Sequence, residues 1–233
     1  MGYLPIFLDV TGRRCVVIGG GEVAERKIAA LLEARADVLV ISPDVTAAIA
    51  EWAAAQRIVH LARAYRLGDI ADAALVFAAT SDFELHRMIA DEARAAGTLI
   101  NVADEPALCT FIAPAVASRG ALQVAISTSG AVPAFAARVR SEIEERFGVE
   151  YEITLEILRA MRSWLRKHVD SQSRRARIMK ALANSDLPAH VRCEDLAAID
   201  TVLATVVGDG VSLAAIGIEL PLYNSIPVDA ASH

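Results

Sequence analysis

The sequence predicts an α/β fold: a parallel-sheet domain over residues 1–112, a small α+β region over 113–149 and a helical domain over 150–233. Three observations carry that prediction. From Arg14 to about Val102, short apolar runs of strand length alternate with longer segments of helical periodicity. Three glycines, Gly19 to Gly21, stand between the first strand-like run and the first helix-like one. Beyond Gly148 the strand-like runs stop, and amphipathic helical stripes take over.

The elements follow in order. "RCVVIG", from Arg14, is an apolar run of the kind found in strands buried on both faces. After it Val23, Ile28, Leu31 and Leu32 recur at helical spacing, with Glu25, Arg26, Lys27 and Glu33 on the other side. "DVLVIS" (37–42) is the second strand; Pro43 then fits a loop or first helical turn, and "VTAAIAEWAAA" is helical. "RIVHLAR" and "AALVFAAT" are the third and fourth strands. "DFELHRMIADEARAAG" is a helix that Asp82 caps and Gly97 closes. "TLINVAD" is the fifth strand. Next, "TFIAPAVAS" and "LQVAIST" read as two β runs around an Arg119–Gly120 corner, followed by a helix from Pro133 to Phe147. This hairpin is suited to pairing strands between subunits. "YEITLEILRAMRSWLRKHV" puts Ile153, Ile157, Leu158, Met161, Trp164 and Leu165 on one stripe, "SQSRRARIMKALAN" repeats the style, and "NSIPVDAASH" reads as a tail.

Composition narrows the function classes. With a formal net charge of -6, the chain lacks the basic balance that nucleic acid or an anionic membrane surface selects. The N-terminus has neither a signal-like basic and apolar pattern nor a myristoylation motif, and charges interrupt every apolar stretch, so a cytoplasmic location is expected. Cys15, Cys109 and Cys193 are scattered, and His60, His86, His168 and His190 show no ligand spacing. No metal site is expected, the thiols read as reduced, and these histidines read as ordinary surface or partly buried ones.

In "VVIGGGEVAERK", Gly19, Gly21 and Ala24 fit the G-x-G-x-x-G/A spacing of a dinucleotide-binding turn, which makes the sheet domain Rossmann-type. Gly19 permits the tight turn, and Gly21 lets the backbone approach a pyrophosphate. Ala24 lets helix and strand pack closely, and the helix N-terminus offers its N–H groups to the anion. Asp44 lies past the second strand, where an acidic residue holds a ribose; it equally suits a helix N-terminus. No Arg or Lys lies between Asp37 and Ala50 to clamp a 2′-phosphate, so NAD is favoured over NADP. Thr80 and Ser81 end the fourth strand on the ligand side. Asn101 and Asp104 end the fifth, where a carboxylate can accept a proton while hydride leaves a substrate, hold a pyrrole N–H or a metal ion, or simply make a turn. The cluster Ser127, Thr128, Ser129 and Gly130 is an anion cradle or a helix-entry loop. Arg119, Arg138 and Arg140 are positioned to meet an acidic ligand or to face solvent.

Taken together, "LPIFLDVTGRRCVVIGGGEVAERKIAALLEA", "VFAATSDFELHRMI", "INVADEPALCTFIAPA" and "LQVAISTSGAVPAFAARVRSEIE" resemble the precorrin-2 dehydrogenases, which also form the N-terminal half of siroheme synthases. The resemblance runs from about Leu4 to about Glu145. It implies a homodimer joined through the 113–149 region, and NAD-dependent oxidation of precorrin-2, a tetrapyrrole, to sirohydrochlorin. Ferrochelatase activity accompanies this in some relatives. It implies cofactor contacts at Gly19, Gly20, Gly21, Glu22, Val23, Pro43, Asp44 and Thr80, a catalytic carboxylate at Asp104, and substrate contacts at Asn101, Ser127, Thr128, Ser129 and Arg138. Thr128 and Ser129 stand where many relatives carry serine and glycine. A different class of function, an NAD sensor acting through the helical C-terminal part, would not need the aspartate.

Overall fold

The computed structural model describes residues 2–219; the expected tail "NSIPVDAASH" lies outside them. Five strands, β1 (Arg14–Ile18), β2 (Asp37–Ile41), β3 (Val59–Leu61), β4 (Leu75–Ala78) and β5 (Leu99–Val102), form one sheet in the order β3-β2-β1-β4-β5. All four pairings are parallel. The chain winds outward from β1 to β3, then returns to the other side of β1 for β4 and β5. The direction of winding thus reverses between β1 and β4, where Rossmann-type sheets bind their ligands.

Helices α1 (Glu22–Glu33), α2 (Ala47–Ala54) and α3 (Phe83–Ala96) make the crossovers. Each apolar strand serves two cores because its side chains alternate between faces. On one face Cys15, Val17, Val38, Val40 and Phe77 pack with Ala24, Ile28 and Ile49. On the other Val16, Ile18, Val76, Ile100 and Val102 pack with Ile89, Ala90 and Ala93. Cys15 is fully buried, and burial pushes its thiol up to about 11, which leaves it protonated. The Asp82 carboxylate caps α3 by accepting from the Glu84 and Leu85 N–H groups, and Gly97 ends it at φ +67°.

Three local expectations change. The run 110–118 becomes a strand only at β6 (Ala115–Arg119), because its first residues bond alongside β5 instead: Thr110 N–H donates to Ile100 O at 2.9 Å, and Ile100 N–H donates to Thr110 Oγ1 at 2.8 Å. β6 pairs antiparallel with β7 (Leu122–Ile126), with Arg119 opposite Leu122, so the corner is Gly120–Ala121, one residue later than expected. His86 is buried at 5% exposure. It shares the inward stripe of Ile89, Ala90 and Ala93, and its Nε2 has no hydrogen-bond partner among the described residues.

The chain divides into two compact units. The first is the chain through Ala113 with Thr128–Val132; the second is Pro114–Ser127 with the chain from Pro133 onward. The hairpin and α4 (Pro133–Arg146) therefore share a unit with α5 (Val149–His168), α6 (Gln172–Ala183), α7 (Leu187–Arg192) and α8 (Leu196–Val207), rather than forming the separate 113–149 region read from the sequence. The helical core gathers Ile157, Met161, Leu165, Leu182, Leu187, Ile199 and Leu203. Glu150, 5% exposed, is held by Arg192, whose Nε lies 3.0 Å from Glu150 Oε1.

Candidate functional site

A cleft of about 840 Å³ opens at the carboxyl ends of β1, β2 and β4, within the first unit. That volume suits a small-molecule cofactor. Its walls are Ile18–Val23, Ile41–Thr46, Ala64 and Tyr65, Ala79–Ser81, and Leu85. Gly19, Gly20, Gly21, Glu22, Val23, Pro43, Asp44 and Thr80, the residues expected at a dinucleotide, all line it.

The three glycines differ in what they do. Gly19 sits at φ +122°, and a Cβ there would lie 2.2 Å from Ala79 O, so the turn requires glycine for both conformation and space. Gly20 has an ordinary φ, but its Cβ would lie 2.0 Å from Asp44 O. A Cβ on Gly21 would meet nothing within 4 Å. Gly21 is the N-cap of α1 with no side-chain cap, and the first helical bond runs from Glu25 N–H to Gly21 O. The N–H groups of Glu22, Val23 and Ala24 are thus left for an anion, and nothing stands over Gly21 to block its approach. This is the geometry a pyrophosphate requires. Ala24, fully buried, allows the helix to lie close on the sheet.

The loop after β2 is held from several sides. Thr46 N–H donates to Gly20 O at 2.9 Å, and Ser42 Oγ donates to Asp44 O at 2.7 Å. Thr46 Oγ1 donates to Glu25 Oε2 at 2.6 Å and accepts from Ile49 N–H at 3.4 Å, tying α1 to the start of α2. Sequence reading missed Thr46. Its signal was an N-cap threonine before an apolar helix, but the Glu25 partner 21 residues earlier is a tertiary contact. Asp44 uses its backbone carbonyl here, and no hydrogen bond to another described residue holds its carboxylate. Among the described lining residues none is basic, while Glu22 and Asp44 are acidic. Tyr65 forms part of the wall. Its hydroxyl donates to the Glu92 carboxylate, which also accepts from Gly68 N–H at 3.0 Å. Burial first, then that bond, raises the phenol far above its usual value, so it stays protonated.

Lys27 of α1 is half-buried with its Nζ 5.4 Å from the Phe77 ring centre; burial, then Arg26, lowers its pKa.

Asp104 is exposed and lies two residues past β5, in the left-handed region at φ +59°, a conformation Asp tolerates better than most residues. It is not among the residues that line the cleft. Asn101 is engaged in the fold: its Nδ2 donates to Phe111 O at 3.1 Å, holding the segment after β5 against the sheet. Phe111 then meets Phe77 edge-on at 5.6 Å. Thr128 closes a turn, accepting from Ala131 N–H at its carbonyl and from Val132 N–H at its Oγ1, and Ser129 adopts φ +54°. Ser127 and Arg138 belong to the second unit, where Arg138 Nε pairs with Glu142 at 2.8 Å on an exposed helix face. Arg119 is structural: its two terminal nitrogens donate to Ser118 O and Glu144 O, joining the hairpin to α4.

Comparison with known proteins shows what this arrangement is similar to. Residues 6–115 match the family described as "Putative NAD(P)-binding", and residues 119–146 match that described as "Sirohaem biosynthesis protein central". A siroheme synthase of Methylobacillus flagellatus is 42% identical over 151 residues, covering 65% of this chain and 32% of its own. One of Neisseria meningitidis is 33% identical over 204 residues, covering 88% of this chain and 42% of its own. The chain thus spans about a third of the length of the siroheme synthases it matches. A solved structure of SirC, a precorrin-2 dehydrogenase, superposes with a TM-score of 0.73 over 88% of this chain and 98% of its own, at 24% identity, which establishes a shared fold. The chain thus carries an NAD(P)-binding match first and a sirohaem biosynthesis central match directly behind it, and over most of its length it is similar to part of the siroheme synthases.

Proposed function

We propose that this chain is an NAD-dependent dehydrogenase that oxidises precorrin-2 to sirohydrochlorin. The observation that carries the proposal is the floor of the cleft: an open Gly21 over the uncapped N-terminus of α1, with acidic and no basic side chains among the described residues of the wall. Bound NAD supplies a hydride acceptor. The substrate loses two hydrogens, one as that hydride and one as a proton, and we assign the proton to the carboxylate of Asp104. The amides of Glu22 and Val23 hold the pyrophosphate, Asp44 the ribose, and Pro43 and Thr80 contact the dinucleotide. Asn101, Ser127, Thr128, Ser129 and Arg138 are assigned as contacts of the tetrapyrrole.

The proposal includes a cytoplasmic homodimer. No helix among the described residues is long and apolar enough to cross a membrane. In the second unit Val116 and Phe135 are 41% and 53% exposed, an apolar surface that a second copy would cover. Purified protein given precorrin-2 and NAD should produce NADH together with the sirohydrochlorin spectrum. Asp104→Asn should stop turnover while NAD still binds, since Asn tolerates the same backbone conformation. Absence of NADH formation by the wild type would refute the dehydrogenase reading. Ferrous ion added to sirohydrochlorin, against a protein-free control, tests chelation separately.

A further inference from the structure

Asp104 occupies the third position of a turn from Val102 to Glu105, at φ +59°, where turns of this kind favour glycine. The turn's own closing bond, from Glu105 N–H to Val102 O, is long at 3.4 Å. β5 is an edge strand, so Val102 N–H needs a partner outside the sheet. One side chain meets all three demands. The Sγ of Cys109 accepts from Val102 N–H at 3.1 Å, and its proton lies within reach of Val102 O and Glu105 O, each at 3.4 Å. Asn101 Nδ2 approaches the same sulfur at 3.7 Å. A strained residue persists only where its surroundings over-determine it, and here the thiol spans the first and last residues of the turn that carries the strain.

We propose that Cys109 is a positioning residue for Asp104, a thiol clasp that fixes the turn bearing the carboxylate. This rests on the catalytic reading of Asp104. The role is hydrogen-bonding rather than space-filling, so Cys109→Ser, which keeps a donor and an acceptor, should retain activity. Cys109→Ala and Cys109→Val should lose it, and valine keeps the pocket filled so that a cavity does not prevent folding. The displacement of one catalytic group by about an ångström lowers rates on the order of a hundredfold.

The test measures kcat and KM for precorrin-2, together with NAD affinity, on the full chain. Cys109→Val should lower kcat at least about tenfold, with KM and NAD affinity within about twofold of wild type, and Cys109→Ser should restore kcat to within about threefold. Wild-type kcat in Cys109→Val, or a serine variant as impaired as valine, overturns the clasp while leaving Asp104 catalytic. Full activity in Asp104→Asn would instead overturn the catalytic reading, and the clasp with it.

Discussion

Gly21→Ala isolates the dinucleotide-binding argument from folding. Gly21 sits at φ −84°, ψ −175°, which alanine adopts without strain, and a Cβ there meets nothing within 4 Å. Replacing glycine by alanine at a compatible position stabilises by about 0.4–1 kcal/mol through the unfolded chain. Alanine is the poorer N-cap by a similar amount, so the two effects offset. The melting temperature of the free protein should therefore stay within about 2 °C of wild type. The ligand meets a different situation, because on the proposed placement of the pyrophosphate the new methyl stands where the phosphates approach. Overpacking of about 1–3 kcal/mol corresponds to roughly 5- to 150-fold weaker NAD. Gly20→Ala should behave in the opposite way: its Cβ would have to move about 1.4 Å from Asp44 O to reach ordinary contact, so the free protein should melt several degrees lower. Calorimetric titration with NAD, alongside melting curves with and without it, reads both effects. At a hundredfold excess over its dissociation constant, NAD stabilises the wild type by about 2.7 kcal/mol; the same concentration should stabilise Gly21→Ala by only about 0.3–1.8 kcal/mol. Unchanged NAD affinity in a normally folded Gly21→Ala would refute the placement of the pyrophosphate over this turn.

Two further predictions concern stability. Asp69 accepts both terminal nitrogens of Arg63 at 2.7 Å and the Arg66 N–H at 2.8 Å, and the Arg63 bonds hold its carboxyl below the usual carboxylate range. A depressed carboxylate contributes stability above its unfolded pKa of about 3.9 and loses it as the pH falls through the folded value. Asp69→Asn should thus lower the urea midpoint at neutral pH, with the gap to wild type closing below about pH 4; a gap independent of pH would refute the ion pair's contribution. Leu165, fully buried in the helical core, should cost about 2–5 kcal/mol when cut to alanine, while NAD binding stays within about twofold; an unchanged melting curve would contradict its place in that core.

The elements themselves were legible because each carried a strong local pattern. Continuous apolar strands, the Asp82 and Gly97 caps and the Leu165 stripe are decided within a few residues of chain. The middle glycine was not legible in its structural role, since the G-x-G-x-x-A pattern leaves that position open and the obstacle, Asp44 O, is 24 residues away. Arg119 read as a ligand contact or a solvated charge for the same reason: its partner Glu144 O lies across a packing interface. His86, on a helix that reads as charged, turned out buried, because its stripe is set by Ile89, Ala90 and Ala93 rather than by overall polarity.

What the amino-acid order determined by itself is the alternation of strand and helix and the glycine turn at a helix start. Those depend on side-chain period and backbone conformational freedom, which are local properties. What only the tertiary structure decided is which groups meet: the strand order that opens the cleft beside Asp44 and Thr80, the Thr46–Glu25 link, and the Cys109 sulfur at the Asp104 turn. Most of these contacts join residues distant in the chain, and their energy appears only once the sheet has brought the groups within hydrogen-bonding distance.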